Sequence, residues 1–221
     1  MPLFQVKICG ITRVDDLKMV AHAGADAIGL NFYPRSQRFL REEEAAGIVA
    51  ALPAEIARVG VFVNEEPETI LHIANTLALD FVQLHGDETF EQIRSLQGQA
   101  YIRAFRLGFD GFDTILQFLA DCRQLDCLPA AVLVDAHVSG QFGGTGTTVD
   151  WHQLGQRRTE LEEIPLILAG GLNPANVIEA IRAVRPQAVD TASGVECEPG
   201  KKSERLVEDF VARSMAALKD N

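Results

Sequence analysis

Two residues of this chain have the chemistry of a base and an acid, and each closes a short apolar run. Cys9 stands in Lys7-Ile8-Cys9-Gly10-Ile11-Thr12, directly after Leu3 to Val6, where a first strand stops and its loop begins. A thiol titrates near ~8.5, so as a base it needs help. Main-chain amides or Lys7 would supply it, although the reach of Lys7, on the opposite side of the strand from Ile8, is left open by the sequence. Asp135 follows Ala131-Ala-Val-Leu-Val134. A carboxyl at such an apolar rim tends to hold its proton, which suits a general acid. Each has a plainer reading: Cys9 as a small buried hydrophobe, Asp135 as a turn cap.

Glycine-bearing loops surround these two positions in the sequence. The first, Ala136 to Asp150, contains Gly143-Gly144-Thr145-Gly146. Without a closing Gly-Lys-Ser/Thr it is not a nucleotide P-loop, but its backbone amides can approach a phosphate or fold over a substrate; a flexible connector is the alternative. Two more follow later runs, Gly170-Gly171-Leu172-Asn173-Pro174 and Thr191-Ala192-Ser193-Gly194-Val195-Glu196. Arg35 and Arg38 share the loop after Asn31; a guanidinium fork there would hold a carboxylate in two parallel bonds, and the sequence alone does not separate the two. Lys201-Lys202 reads equally as a diffuse attraction for anions or as a solvated basic pair. His85 invites pairing with Cys9 as a thiol nucleophile, but nothing nearby reads as an oxyanion hole. His22, His72 and His152 read as structural and His137 is open. No His, Asp and Glu set has metal-ligand spacing, so no metal is expected.

The elements that must position these residues alternate along the whole chain. Strands are expected at Gln5–Ile8, Ala27–Asn31, Arg58–Val63, Phe81–Leu84, Tyr101–Phe105, Ala131–Val134, Leu166–Ala169 and Ala188–Thr191. Most are continuous apolar runs, as in a parallel sheet covered on both faces. Helices are expected near Val14–His22, Arg41–Ala51, Glu68–Leu77, Thr89–Leu96, Phe112–Cys122, Trp151–Leu154, Pro174–Val184 and Ser203–Lys219. Thr12 with Asp15 suggests a capping box, Asn173-Pro174 an N-cap with proline at the first helical position, and Gly24 a stop. The units average roughly 28 residues, the spacing of a compact (β/α)8 TIM barrel. A doubly wound sheet fits less well because no GxGxxG follows the first strand. No Pro/Gly/Ser-rich linker interrupts residues 1–221, so one domain is expected.

Composition narrows the partners. The net charge of -11 argues against nucleic acid or an anionic membrane. Cys9, Cys122, Cys127 and Cys197 lack CxxC pairing and read as free thiols in a reducing cytoplasm. No targeting segment or membrane span is read.

The motifs together resemble the phosphoribosylanthranilate isomerases of tryptophan biosynthesis. Lys-Ile-Cys-Gly-Ile-Thr is similar to that family's signature, and Val-Leu-Val-Asp with its Gly-Gly-Thr-Gly loop to its acid-bearing sixth strand. Val59-Gly-Val-Phe-Val-Asn64, Gln-Leu-His-Gly and the loops after strands seven and eight add to the likeness, which covers essentially the whole chain. The resemblance implies Cys9 as base and Asp135 as acid in an Amadori rearrangement of N-(5′-phosphoribosyl)anthranilate. It implies Arg38 on the anthranilate carboxylate with Arg35 outside it, His85 as a supporting contact and Asp190 on the substrate away from its phosphate. The phosphate would lie on Gly143, Gly144, Gly170, Gly171, Ser193 and Gly194. No cofactor is implied, and the chain would act as a monomer or homodimer. Two departures stand out: Thr147 where a lysine is common, and Ala192 in place of the first serine of Ser-Ser-Gly-Val-Glu. The rivals are another phosphosugar isomerase or epimerase, and a non-catalytic phosphosugar-binding barrel that would bind without turnover.

Overall fold

The computed structural model describes residues 3–96, 98–107, 111–135 and 151–220. Eight parallel strands close into a barrel in chain order: β1 (Val6–Cys9), β2 (Ala27–Asn31), β3 (Ala57–Phe62), β4 (Phe81–Leu84), β5 (Tyr101–Arg106), β6 (Ala131–Asp135), β7 (Leu166–Ala169) and β8 (Ala188–Thr191). The helices between them are α1 (Val14–His22), α2 (Glu42–Ala50), α3 (Pro67–Thr76), α4 (Phe90–Arg94), α5 (Asp113–Gln124), α6 (Trp151–Arg157), α7 (Val177–Val184) and α8 (Glu204–Lys219). The (β/α)8 barrel expected from the sequence is therefore the observed fold.

Strand residues alternate between two apolar layers. Val6, Ile8, Ile28, Leu30, Val82, Leu84, Val132, Val134, Leu166 and Leu168 pack outward against the helices. Ala27, Ala57, Val59, Phe81, Ile102, Ala104, Ala131, Leu133, Ile167, Ala169 and Ala188 fill the interior. Small alanines stand level with larger side chains, Ala131 with Ile102 and Ala188 with Ile167, as the interior of an eight-strand barrel requires. Because the period is 2, interior positions continue upward to Lys7 and Cys9 on β1, Gln83 on β4, Asp135 on β6 and Asp190 on β8. Lys7 lies level with Ala27 on one side and Asp190 on the other, and Cys9 with Gly29.

Several local expectations change. No side chain caps α1, whose N-cap is Arg13; the Thr12 hydroxyl instead donates to the Gly200 carbonyl, 2.7 Å away. Long-range pairing there outcompetes the local capping box. Asn173 does accept from the Ala175 N–H at 2.8 Å, but residues 174–176 form a turn and α7 begins at Val177. Thr89 carries a true capping box with Gln92 at the start of α4, and Gly24 follows α1 at φ +86°. A short antiparallel pair, β9 (Glu196–Glu198) with β10 (Lys201–Lys202), joins the β8 loop to α8 and had no counterpart in the sequence reading. Cys9 and Asp135, expected just beyond their strands, are the last residues within them.

Candidate active site

All eight parallel strands end on one face, so the terminal residues of β1, β4, β6 and β8 converge at a single mouth. Going round the barrel, β1 and β6 are separated by β7 and β8, which sets Cys9 and Asp135 across the mouth from one another. The half-buried His85 follows β4; its Nδ1 lies 3.3 Å from Gln83 Nε2. Burial holds the His85 imidazole below its ordinary range, so it is neutral near pH 7; Asp135 opposes that effect, and Arg106, Lys7 and Asp190 also lie within its field. Arg106, level with Asp135 on the neighbouring strand, is a rim cation that the apolar-run reading of β5 passed over.

Cys9 is half-buried and unoxidised. Burial pushes its thiol above the ordinary range, more than Lys7 and Lys202 pull it back, while Asp190 pushes it further up. Lys7 thus reaches Cys9, since residues two apart on a strand share a face, but its help does not outweigh desolvation. Lys7 itself is fully buried. Burial alone would depress its ammonium; Asp190, 3.0 Å away, and Cys9 reverse the effect and keep it charged. Gly29 gives this group its room: a Cβ there would lie 2.6 Å from Cys9 Sγ and 3.1 Å from Lys7 Nζ.

Arg38 folds back over Gly10, where a Cβ would meet its Cδ at 2.2 Å. Its guanidinium forks onto Glu196, Nε to Oε1 at 2.7 Å and Nη2 to Oε2 at 2.6 Å. Arg35 is exposed, as its outer position implied. Lys202 is not a solvated cation: its buried ammonium donates to the Cys9 carbonyl (2.7 Å), the Ala192 carbonyl (3.0 Å) and Glu196 Oε1 (2.8 Å). Burial pushes Glu196 up, yet Arg38 and Lys202 hold it below the usual carboxylate range. This Arg38–Glu196–Lys202 chain fixes the floor beside Cys9. Sequence reasoning gave Glu196 no role, because its partner in the fork is 158 residues away.

The loops after β7 and β8 are locked together. Gly170 and Gly171 take φ of +91° and +68°, the left-handed region that glycine enters without strain. Gly194 packs so closely that a Cβ would lie 1.8 Å from the Leu172 carbonyl oxygen. Thr191 Oγ1 donates to that same oxygen at 2.6 Å. Asn176 donates to the Gly171 carbonyl at 3.0 Å, and Ser193, exposed, opens a short 3-10 turn ending at Val195. The arrangement leaves main-chain surface, rather than bulky side chains, at the place where this fold commonly holds phosphate. Gly143 and Gly144, also expected on the phosphate, lie outside the described residues, as do His137 and Thr147. Among the described residues, no His/Cys/Asp/Glu group could hold a metal ion, and no helix is long and apolar enough to cross a membrane.

Comparison with known proteins agrees with this fold. The family model for N-(5′-phosphoribosyl)anthranilate isomerase matches residues 6–213. The N-(5′-phosphoribosyl)anthranilate isomerase of Trichlorobacter lovleyi is 43% identical over 216 residues, 98% of this chain and 100% of its own. The crystal structure of phosphoribosyl anthranilate isomerase from Thermotoga maritima superposes with a TM-score of 0.84 at 39% identity, covering 97% of this chain and 100% of that one. A structure of phosphoribosyl anthranilate isomerase in complex with reduced 1-(o-carboxyphenylamino)-1-deoxyribulose 5-phosphate gives a TM-score of 0.82 at 38% identity, with the same coverage. With a closed barrel and a thiol, a carboxyl and an arginine at one mouth, the chain belongs to the phosphoribosylanthranilate isomerase family.

Proposed function

We infer that this isomerase converts N-(5′-phosphoribosyl)anthranilate to 1-(2-carboxyphenylamino)-1-deoxyribulose 5-phosphate, a step of tryptophan biosynthesis. The observation that carries the residue assignment is the placement of Cys9 and Asp135 at opposite sides of one barrel mouth. Protonated Asp135 gives its proton to the ribose ring oxygen as the C1′–O bond breaks, and the nitrogen lone pair forms the Schiff base. Cys9 as thiolate removes the C2′ proton; the electron pair moves to the C1′–C2′ bond and neutralises the iminium, giving an enolamine that tautomerises to the ketone. Protons are passed on, none is consumed, and the chemistry calls for no redox partner.

Main-chain amides of the loops after β7 and β8, near Gly170, Gly171, Ser193 and Gly194, hold the phosphate. That remote handle turns two proton transfers into reactions of a pre-oriented sugar. Arg38, set by Glu196, presents its remaining donor edge to the anthranilate carboxylate; His85, neutral, and Asp190 line the sugar. Although the chain is acidic overall, Lys7, Lys202, Arg38 and Arg106 collect beside these groups and draw an anionic substrate to the mouth.

The test is loss of anthranilate-type fluorescence on mixing with phosphoribosylanthranilate in EDTA. Cys9→Ala and Asp135→Asn each lower kcat by about 10²–10⁴-fold, the range of general acid–base contributions, with circular dichroism unchanged. Turnover near wild type in either variant removes that residue from its role. Binding without turnover in the wild-type chain favours the non-catalytic barrel. Sedimentation velocity decides between the monomer and the homodimer.

A further inference from the structure

Three cations surround Cys9, and counting their donors separates them. Lys202 has three N–H bonds and directs them to Cys9 O, Ala192 O and Glu196. Arg38 commits Nε and Nη2 to Glu196. Lys7, among the described residues, has Asp190 Oδ2 as its one oxygen partner, which leaves its other two N–H bonds for something else. Lys7 Nζ and Cys9 Sγ crowd the same point above Gly29, within 3.1 and 2.6 Å of where its Cβ would be. An ammonium fully buried inside a barrel is costly to desolvate, so its position calls for a second partner besides one carboxylate. Asp190 Oδ1, also buried, has no hydrogen-bond partner among the described residues.

We propose that Lys7 is a positioning residue for the reaction: its ammonium, anchored on Asp190, donates to the Cys9 sulfur, aims it at the sugar and offsets part of the burial that disfavours its thiolate. Asp190 then has two opposed duties, keeping Lys7 in place while competing with the thiolate for its charge. The groups facing Cys9 are Lys7 on its own strand, Asp190 on β8, Lys202 on β10 and Arg38 on the β2 loop; His85, just after β4, faces the Lys7–Asp190 pair and is itself faced by Asp135 on β6 and Arg106 on β5. Directions of titration agree, with Lys7 drawing the thiol down and Asp190 pushing it up. This role rests on Cys9 being the base, which the isomerase assay of Cys9→Ala tests separately.

The experiment follows alkylation of Cys9 by iodoacetamide against pH, read by peptide mass spectrometry and needing no substrate. Lys7→Met moves the midpoint up and slows the reaction near neutral pH by about tenfold, one pKa unit. Asp190→Asn moves it down and speeds the reaction. Opposite signs are the signature, since loosened packing would rehydrate the sulfur and move both midpoints the same way, downward. Should Lys7→Met fail to fold, Lys7→Met in an Asp190→Asn background removes both charges and still raises the midpoint over Asp190→Asn alone. A midpoint unmoved by loss of Lys7 overturns the role, whatever the isomerase assay shows; a shifted midpoint with a fully active Cys9→Ala overturns the base assignment instead.

Discussion

Two buried ion pairs sit on opposite faces of the barrel wall. Arg103 on β5 and Glu88 before α4 pair on the outer face. There the carboxylate also accepts from Asn64 N at 2.9 Å and Gly86 N at 3.0 and 3.1 Å, and the guanidinium lies 5.7 and 5.5 Å from the Phe105 and Phe118 ring centres. Lys7 and Asp190 pair on the inner face with an acceptor and two donor hydrogens to spare. A carboxylate saturated by backbone N–H groups holds a loop in shape. A pair left incomplete beside a thiol can engage a thiolate or a substrate hydroxyl. Arg103 Nε is itself buried without a hydrogen-bond partner among the described residues, so the lesson is that saturation of the carboxylate, more than burial, distinguishes a strut from a working pair.

That contrast can be broken most forcefully at the outer pair. Glu88→Ala strands a buried guanidinium and three loop contacts, and unfolding free energy falls by about 3–5 kcal/mol, seen as a lower urea midpoint. The joint Lys7→Met and Asp190→Asn variant loses both charges at once, so stability stays within ~1 kcal/mol of wild type while turnover collapses. If the two pairs cost alike in stability, the distinction fails.

Gly29→Ala sharpens the inner side. The new methyl needs the space of Cys9 Sγ and Lys7 Nζ, so kcat drops by about tenfold, ~1.4 kcal/mol of barrel-mouth geometry, with a smaller change in Tm. Unaltered kcat would mean that sulfur and ammonium need not stay close.

The smallest effect is at His85. Burial lowers its native pKa below 6.5, so between the native value and 6.5 the unfolded chain binds the extra proton. Stability therefore falls as pH drops through that window, at a slope no steeper than about 1.4 kcal/mol per pH unit for one proton. His85→Asn flattens this part of the stability–pH curve; thermal melts from neutral to mildly acidic pH read it. An unchanged slope assigns the acid sensitivity to other groups.

Much of this was legible because the relevant forces are local. β2, β4, β7 and β8 fall at the bounds read from the sequence, where short, mainly apolar runs give way to polar residues or glycine, since such runs must be covered on both faces. The same rule put Cys9 and Asp135 at strand ends. Misreadings came where a distant partner outcompeted a near one. Thr12 gave up its helix cap for Gly200, 188 residues on, and Lys202 left solvent for the Cys9 carbonyl, 193 residues back. The reach of Lys7 was in fact readable, as positions 7 and 9 share a face of β1.

By itself the sequence determined the succession of strands and helices and which side chains end each strand, because apolar periodicity and turn chemistry act over a few residues. Barrel closure alone decided that β8 lies beside β1, and hence that Asp190 faces Lys7 across 183 residues. Only there do burial and Coulomb attraction act on the same atoms, and that encounter keeps the buried Lys7 charged beside Cys9.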